Sequence, residues 1–317
     1  MPFVTNLYKS CTLCPRNCGV NRLASEAGYC GETAALRIAN AGVHRGEEPT
    51  LIGSGGSGTI FFSGCNLGCI FCQCYQVSQG EGKGLTSIGR EVSAEEFANI
   101  CITLRDAGVE NINIVTGSHA VPAIIEGLNA ARNAGMRLPI LWNSSGYESL
   151  ETLELLRNCV DIFMPDLKTL DSKLAAKFFN APDYPEVATA AIFKMIDIVN
   201  DKSFGKPVNK VTVTIRHLIL PGYLELTRNV LRWFADNVKD RAVLSLMTQY
   251  TPIPGKENIA PNRYVNREEY DIVMEWLKEF KIEDGFFQEL LTEEEWLPDF
   301  RQKNPFPPDI LVPVWSL

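Results

Sequence analysis

The chain has 317 residues, 45% of them hydrophobic and 21% charged, enough for a sizeable core in one or two domains. Its net charge of -8 argues against the basic surfaces that bind nucleic acid or anionic membranes. No apolar run reaches membrane-span length, and Met1–Asn6 lacks a leader pattern, so a cytoplasmic protein with reduced thiols is expected.

Residues 1–55 read as a cysteine-rich amino-terminal segment, its first 50 residues short and loop-like. Cys11, Cys14, Cys18 and Cys30 give the spacing C-x2-C-x3-C-x11-C. Few apolar runs accompany them, so hydrophobic burial alone would hold the segment poorly. Four thiolates suffice for one tetrahedral site; zinc, a second iron–sulfur cluster and four free thiols are all open readings. The Gly/Ser run at 51–58 reads as a connector and not a phosphate loop. No Lys-Ser/Thr follows it, and it precedes a strand.

From residue 56 to 250, apolar runs alternate with amphipathic segments. Strands are expected at Thr59–Ser63, Asn111–Val115, Pro139–Trp142, Asp161–Met164, Val211–Leu220 and Ala242–Met247. Between them, Ser93 with Glu96 forms a capping box that opens a helix to about Asp106. Further helices are expected over Val121–Asn133, Glu148–Asn158, Tyr184–Asn200 and Glu225–Val238. Six such units predict an α/β fold, a partial (β/α)6 barrel or else an open doubly wound sheet, in either case with its site at the carboxyl ends of the strands. Residues 251–317 form a C-terminal extension with a helix near Arg267–Phe280 and a Pro-rich end. Phe286, Phe287 and Trp296 there need a surface, and the barrel mouth is the expected one.

Directly after the first barrel strand comes Cys65-Asn66-Leu67-Gly68-Cys69-Ile70-Phe71-Cys72, a C-x3-C-x2-C loop. Three thiolates there can each hold one corner of a cubane cluster and leave the fourth iron open to a ligand. A structural zinc site wants four donors, and Cys74 sits too close to Cys72 to serve easily. Phe71 is placed to pack over a cofactor or to shield the cluster. Cys101 and Cys159 read as core residues.

With its aromatic residue before the last cysteine, this loop resembles that of the radical S-adenosylmethionine superfamily. More closely, the chain resembles the pyruvate formate-lyase activating enzyme homologues. The resemblance is carried by Cys14-Pro15-Arg16-Asn17-Cys18-Gly19-Val20-Asn21-Arg22, Gly56–Phe62, Asn143-Ser144-Ser145-Gly146-Tyr147, Asp166-Leu167-Lys168, Arg216–Gly222 and Gln249-Tyr250. It spans about residues 11 to 250. It implies a [4Fe-4S] cluster on Cys65, Cys69 and Cys72. It also implies S-adenosylmethionine, cleaved to a 5′-deoxyadenosyl radical that abstracts hydrogen.

The implied substrate is a protein or peptide, including a glycyl radical enzyme, and the implied electron donor is a flavodoxin or ferredoxin. Radical modification of a small molecule is the rival enzyme reading. A non-catalytic iron–sulfur or zinc electron-transfer module is the rival from another class. The same resemblance makes Asn143, Ser145, Asp166 and Lys168 cofactor contacts. At the end of the second strand, relatives carry a Gly-Gly-Glu-like turn. Here Thr116-Gly117-Ser118-His119 has one glycine and no Glu, so backbone carbonyls, Thr116 or Ser118 must substitute, with His119 capping the next helix. Arg216 and His217 point to opposite faces of their strand, and His217 is the expected inward one.

Overall fold

The computed structural model describes residues 6–78, 88–202, 210–291 and 297–316. Its strands are β1 (Leu36–His44), β2 (Ser57–Phe62), β3 (Arg90–Val92), β4 (Asn111–Val115), β5 (Ile140–Ser144), β6 (Ile162–Pro165), β7 (Thr214–Leu218), β8 (Val243–Met247), β9 (Gly285–Phe287) and β10 (Leu311–Ser316). Its helices are α1 (Pro49–Ile52), α2 (Tyr75–Ser78), α3 (Ala94–Asp106), α4 (Val121–Asn133), α5 (Leu150–Leu156), α6 (Ser172–Phe179), α7 (Tyr184–Lys202), α8 (Leu224–Asn237) and α9 (Arg267–Glu279).

Strands β2, β4, β5 and β6 pair in parallel in that order, and β7, β8 and β9 form a second parallel run. The runs are joined by parallel bridges Phe163↔Val213 and Asp166↔Arg216, and by the Leu167 N–H, which donates to the Arg216 carbonyl at 2.8 Å. The result is the expected partial barrel, with β9 as an added seventh parallel strand. All of β2 and the first four residues of β4 are buried on both faces, as a parallel sheet covered by helices requires.

The sheet continues past β2 with antiparallel strands. β1 pairs β2, and β10 and β3 both pair β1. The loop-like expectation for the first 50 residues is therefore corrected over 36–44, where a nine-residue strand has all but one residue buried. Register irregularities near Ile38 and Ala41 and burial on both faces hide the alternation that would have shown it.

Smaller corrections have local causes. The expected strand over Val211–Leu220 shortens to β7, because residues 210–212 form a 3-10 turn and Pro221 lacks an N–H for the ladder. At α3 the capping box is half formed. The Ser93 hydroxyl accepts from the Glu96 N–H at 3.2 Å, but the Glu96 carboxylate turns to Arg90. The complete box opens α9, between Asn266 and Glu269. Helix α6, capped by Asp171, was not anticipated.

The C-terminal extension returns to the barrel. Phe300 and Phe306 pack edge-on and tilted against Phe61 of β2 at 5.3 and 5.4 Å between ring centroids. Trp296 and Glu293–Glu295 lie outside the described residues. Among the described residues, no helix is long and apolar enough to cross a membrane.

Candidate functional site

The cysteine loop leaves β2 through Gly64, whose φ of +82° suits glycine. A Cβ there would meet the Glu32 side chain at 2.5 Å and the Cys30 carbonyl at 2.8 Å. The loop is tied down from several sides. Asn66 Nδ2 donates to the Tyr147 carbonyl at 2.6 Å, and the Ile70 N–H to the Phe178 carbonyl at 3.0 Å. Arg16 donates to the carbonyls of Asn66 (2.9 Å), Leu67 (3.1 Å), Phe179 (2.8 Å) and Asn180 (2.5 Å). The Leu67 N–H points at Cys65 Sγ, 3.4 Å away. Phe71 packs against Phe178, Phe179 and Tyr250, so the loop has an apolar wall behind it.

Cys65, Cys69 and Cys72 open into one cavity of about 680 Å³, at the carboxyl ends of the barrel strands. Burial pushes the Cys69 thiol well above its ordinary range, against the pull of the nearby Lys168 cation. Burial likewise raises Cys72, to about 11. Cys74 lines the same cavity and packs beside Phe61 and Val77.

Of the residues expected at the strand ends, Thr116, Asn143, Ser145, Asp166 and Lys168 line this cavity. Lys168 Nζ donates to Asp166 Oδ2 at 2.6 Å. Burial opposes its charge, but Asp166, with Cys69 and Tyr184 beside it, outweighs this and holds the ammonium pKa above the ordinary lysine value. Tyr184 fixes this corner. Its Oη accepts from the Lys168 N–H at 3.0 Å and lies 2.9 Å from the Ser145 carbonyl and 3.0 Å from that of Asp166. The buried phenol thereby ties the end of β5 to the end of β6. Gly146 allows the close approach, since a Cβ there would sit 2.4 Å from the Asp166 carbonyl oxygen.

The second-strand turn divides. Thr116 adopts the left-handed φ of +59° and faces the cavity. Gly117 points into the core, where a Cβ would meet Ile114, Ile124 and Trp142 within 3 Å. Ser118 donates to the buried Glu148 carboxylate at 2.7 Å, which also accepts from Trp142 Nε1 at 3.2 Å. His119 is buried behind the turn and does not line the cavity, and its carbonyl accepts from Arg22. Burial, with Arg22 adding to it, lowers the imidazole to about 3.

The expectation that His217 faces inward is corrected. Its Nδ1 lies 2.7 Å from the Leu167 carbonyl and its Nε2 3.0 Å from Thr227 Oγ1 on α8. A carbonyl only accepts, so Nδ1 carries the proton and Nε2 accepts from the threonine. Burial lowers this imidazole to about 4, so it stays neutral. Arg216 takes the inward position, where its Nε and Nη2 donate to Glu48 at 2.7 and 2.6 Å and Nη2 also meets Glu47. Alternation along β7 does not say which face is inward, and Glu47 and Glu48 sit in a loop without a motif. The sequence therefore held no signal for this ion cluster.

From the extension, Phe286, Phe287, Gln288, Pro298 and Phe306 also line the cavity. Gln76, just after the cysteine loop, is gripped by it. Its Nε2 donates to Asp299 Oδ1 at 3.0 Å and its Oε1 accepts from the Phe300 N–H at 2.6 Å.

Residues 59–233 match the radical SAM superfamily, more than half of the chain. The chain belongs to the radical SAM superfamily. An uncharacterized protein of Methanocaldococcus jannaschii is 28% identical over 280 residues, covering 88% of this chain and 77% of that protein. A crystal structure of Streptococcus suis SuiB superposes with a TM-score of 0.47 at 16% identity, covering 71% of this chain and 47% of SuiB. SuiB bound to S-adenosylmethionine gives 0.44 at 17% identity, covering 71% and 45%. The chain thus spans about half the length of those structures.

Membership in the radical SAM superfamily implies a [4Fe-4S] cluster and S-adenosylmethionine, and the cavity suits both. Three buried or half-buried thiols share it with a paired cation and carboxylate, beside an apolar wall. Among the described residues, no three His, Cys, Asp or Glu side chains are grouped so as to hold a metal ion as they stand. Cubane ligands bind separate corners and need not meet at one point. Cys101 and Cys159 are buried in the main core, away from this site. Cys11, Cys14, Cys18 and Cys30 lie outside the cavity lining, in the amino-terminal segment.

Proposed function

We propose that this chain is a radical SAM enzyme whose [4Fe-4S] cluster is held by Cys65, Cys69 and Cys72. One observation carries the reading: the three thiols and the strand-end groups Thr116, Asn143, Ser145, Asp166 and Lys168 open into a single cavity. When bound, the cluster supplies one electron to S-adenosylmethionine, giving a 5′-deoxyadenosyl radical that abstracts hydrogen from the substrate.

The protein's part is to bind and to exclude water. The Lys168 ammonium offers a charge-assisted donor suited to the methionine carboxylate, and Asp166 an acceptor for ribose hydroxyls or an ammonium. Tyr184 keeps both at fixed height by tying β5 to β6. Phe71, Phe178, Phe179 and Tyr250 keep water from the back of the cysteine loop.

The substrate we favour is a protein or peptide, in line with the resemblance to activating enzyme homologues, with a flavodoxin or ferredoxin as electron donor. Hydrogen abstraction from a small molecule is the second reading. It is favoured by Pro298, Phe286, Phe287 and Phe306, which line the cavity and narrow the room for a folded partner. Anaerobic reconstitution with iron, sulfide, reductant and S-adenosylmethionine tests the core of the proposal. Formation of 5′-deoxyadenosine is expected, and its absence above a reductant-only control removes the radical reading.

A further inference from the structure

We propose that Cys11, Cys14, Cys18 and Cys30 bind a single zinc ion. In this reading the closed site sets the position from which Arg16 holds the cluster loop and Arg22 the second-strand turn. The zinc assignment stands independently of the radical chemistry.

The backbone of the segment already folds as a knuckle. The Asn17 N–H donates to the Cys14 carbonyl, the Gly19 N–H to the Cys11 carbonyl and the Cys11 N–H to the Val20 carbonyl, each at 3.0 Å. Asn17 and Gly19 take the left-handed conformations that such reversals need, at φ +43° and +66°. Gly28 brings the strand-ward loop carrying Cys30 against the knuckle. A Cβ on it would stand 3.2 Å from Cys18 Sγ. The spacings x2 and x3 both fall in the range found between zinc-ligating cysteines.

Two sulfurs already have donors aimed at them. The Tyr29 N–H points at Cys18 Sγ at 3.2 Å, and Arg22 Nη1 at Cys11 Sγ at 4.0 Å. Outer groups of this kind orient and stabilise metal-bound thiolates. Among the described residues the sulfurs are not grouped as ligands of one ion as they stand, so zinc binding requires the four side chains to converge.

The segment also gains from the ion. Its own buried apolar group is Tyr8, Cys11 and Leu13, with Leu7, Val20 and Ala34 packed around it. So small a cluster contributes little to ordering some 25 residues beyond the ties of Arg16, Arg22 and Leu13 to the barrel, and a metal staple would add to them. All four thiols are outside the cavity lining, and four donors leave no open position, which marks a structural site and not a catalytic one.

What the ion would stabilise is specific. Arg16, between Cys14 and Cys18, reaches two carbonyls of the cluster loop and two at the end of α6. Arg22, between Cys18 and Cys30, reaches the carbonyls of Thr33 and of His119 behind the second-strand turn.

The test counts metals in the full-length protein purified without added metal, and in a Cys65→Ala/Cys69→Ala/Cys72→Ala variant. About one zinc per chain is expected in both. Adding Cys14→Ser to the triple variant is expected to remove it, and adding Cys101→Ala to leave it. Since Cys14→Ser can unfold the segment, cobalt titration of the triple variant gives a second readout, the visible d–d bands of tetrahedral Co(II) with thiolate charge transfer. Zinc absent from the triple variant, iron with acid-labile sulfide in its place, or an octahedral cobalt spectrum would each overturn the proposal. Loss of 5′-deoxyadenosine formation with zinc intact would strike the radical reading alone.

Discussion

Two short stretches hold seven of the ten cysteines, and the chain treats them in opposite ways. The loop 65–72 has three thiols that open into a cavity lined by charged and polar strand-end groups. The segment 11–30 has four, outside that lining and set among their own backbone reversals. The difference is one of completeness. An incomplete donor set beside a cavity leaves a coordination position for chemistry, and a complete one away from it leaves only structural work. The two are nevertheless joined, because Arg16 and Arg22 grow from the second stretch and end on the backbone of the first and its neighbour.

The sharpest way to break this comparison is to remove one cavity thiol. Cys69→Ala is expected to take iron content and 5′-deoxyadenosine to background, whereas Cys101→Ala keeps both. Equal iron in the two variants, measured after anaerobic reconstitution, would end the ligand assignment. Next in size is the charged pair. Lys168→Ala is expected to weaken S-adenosylmethionine binding by roughly 10- to 100-fold, the worth of one charge-assisted hydrogen bond. Equilibrium dialysis on the cluster-loaded protein reads this directly, and an unchanged Kd would move the carboxylate contact elsewhere.

The joint between the stretches comes third. Arg16→Ala removes donors to four carbonyls and the stacking on Tyr29 at 3.8 Å. A loss of about 3 kcal/mol is expected, seen as a lower urea midpoint, together with reduced iron loading. Normal loading in this variant would show that the cysteine loop holds its shape unaided. Tyr184→Phe should cost less, about 1 kcal/mol, since the Lys168 N–H loses its acceptor but the ring still stacks on Tyr147.

The smallest effect at neutral pH is at His119, on the seam. Its pKa falls from the ordinary value of 6.5 to about 3 on folding, so between those values the unfolded chain binds more protons than the folded one. Stability from this group is present above about pH 6.5 and is lost as pH falls toward 3. His119→Gln should flatten the stability profile in that window by up to about 1.4 kcal/mol per pH unit, with little change at pH 7.5. Superimposable profiles for the two proteins would show that His119 is solvated in solution.

Much of this is legible in the amino-acid sequence. The six parallel strands announced themselves because each is a short apolar run between turn residues, and the C-x3-C-x2-C loop because its spacing is compact. Strand β1 was not legible, since its partners lie far along the chain and its irregular pairing breaks the two-residue period. The strand-end residues Asp166 and Lys168 were found through resemblance, and the structure sets them in the cavity wall. Tyr184, which holds them, gave no signal, because a tyrosine at the start of a helix looks the same whether its hydroxyl meets water or two carbonyls. His217 was misplaced for a related reason. Alternation says that neighbours point apart, but the sign of the face comes from the Glu47–Glu48 pair that draws Arg216 inward.

The pairing of β1 with β10 has a consequence in time. His44 is made early and Leu311, its partner, late. Until the ribosome has passed Ser316, the outer edge of β1 lacks that neighbour, and Gln76 lacks its grip on Asp299 and Phe300. Contacts this distant in sequence form slowly, so in a nascent chain β1 and Gln76 wait for these partners after the cysteine loop has already been tied to Tyr147 and Phe178.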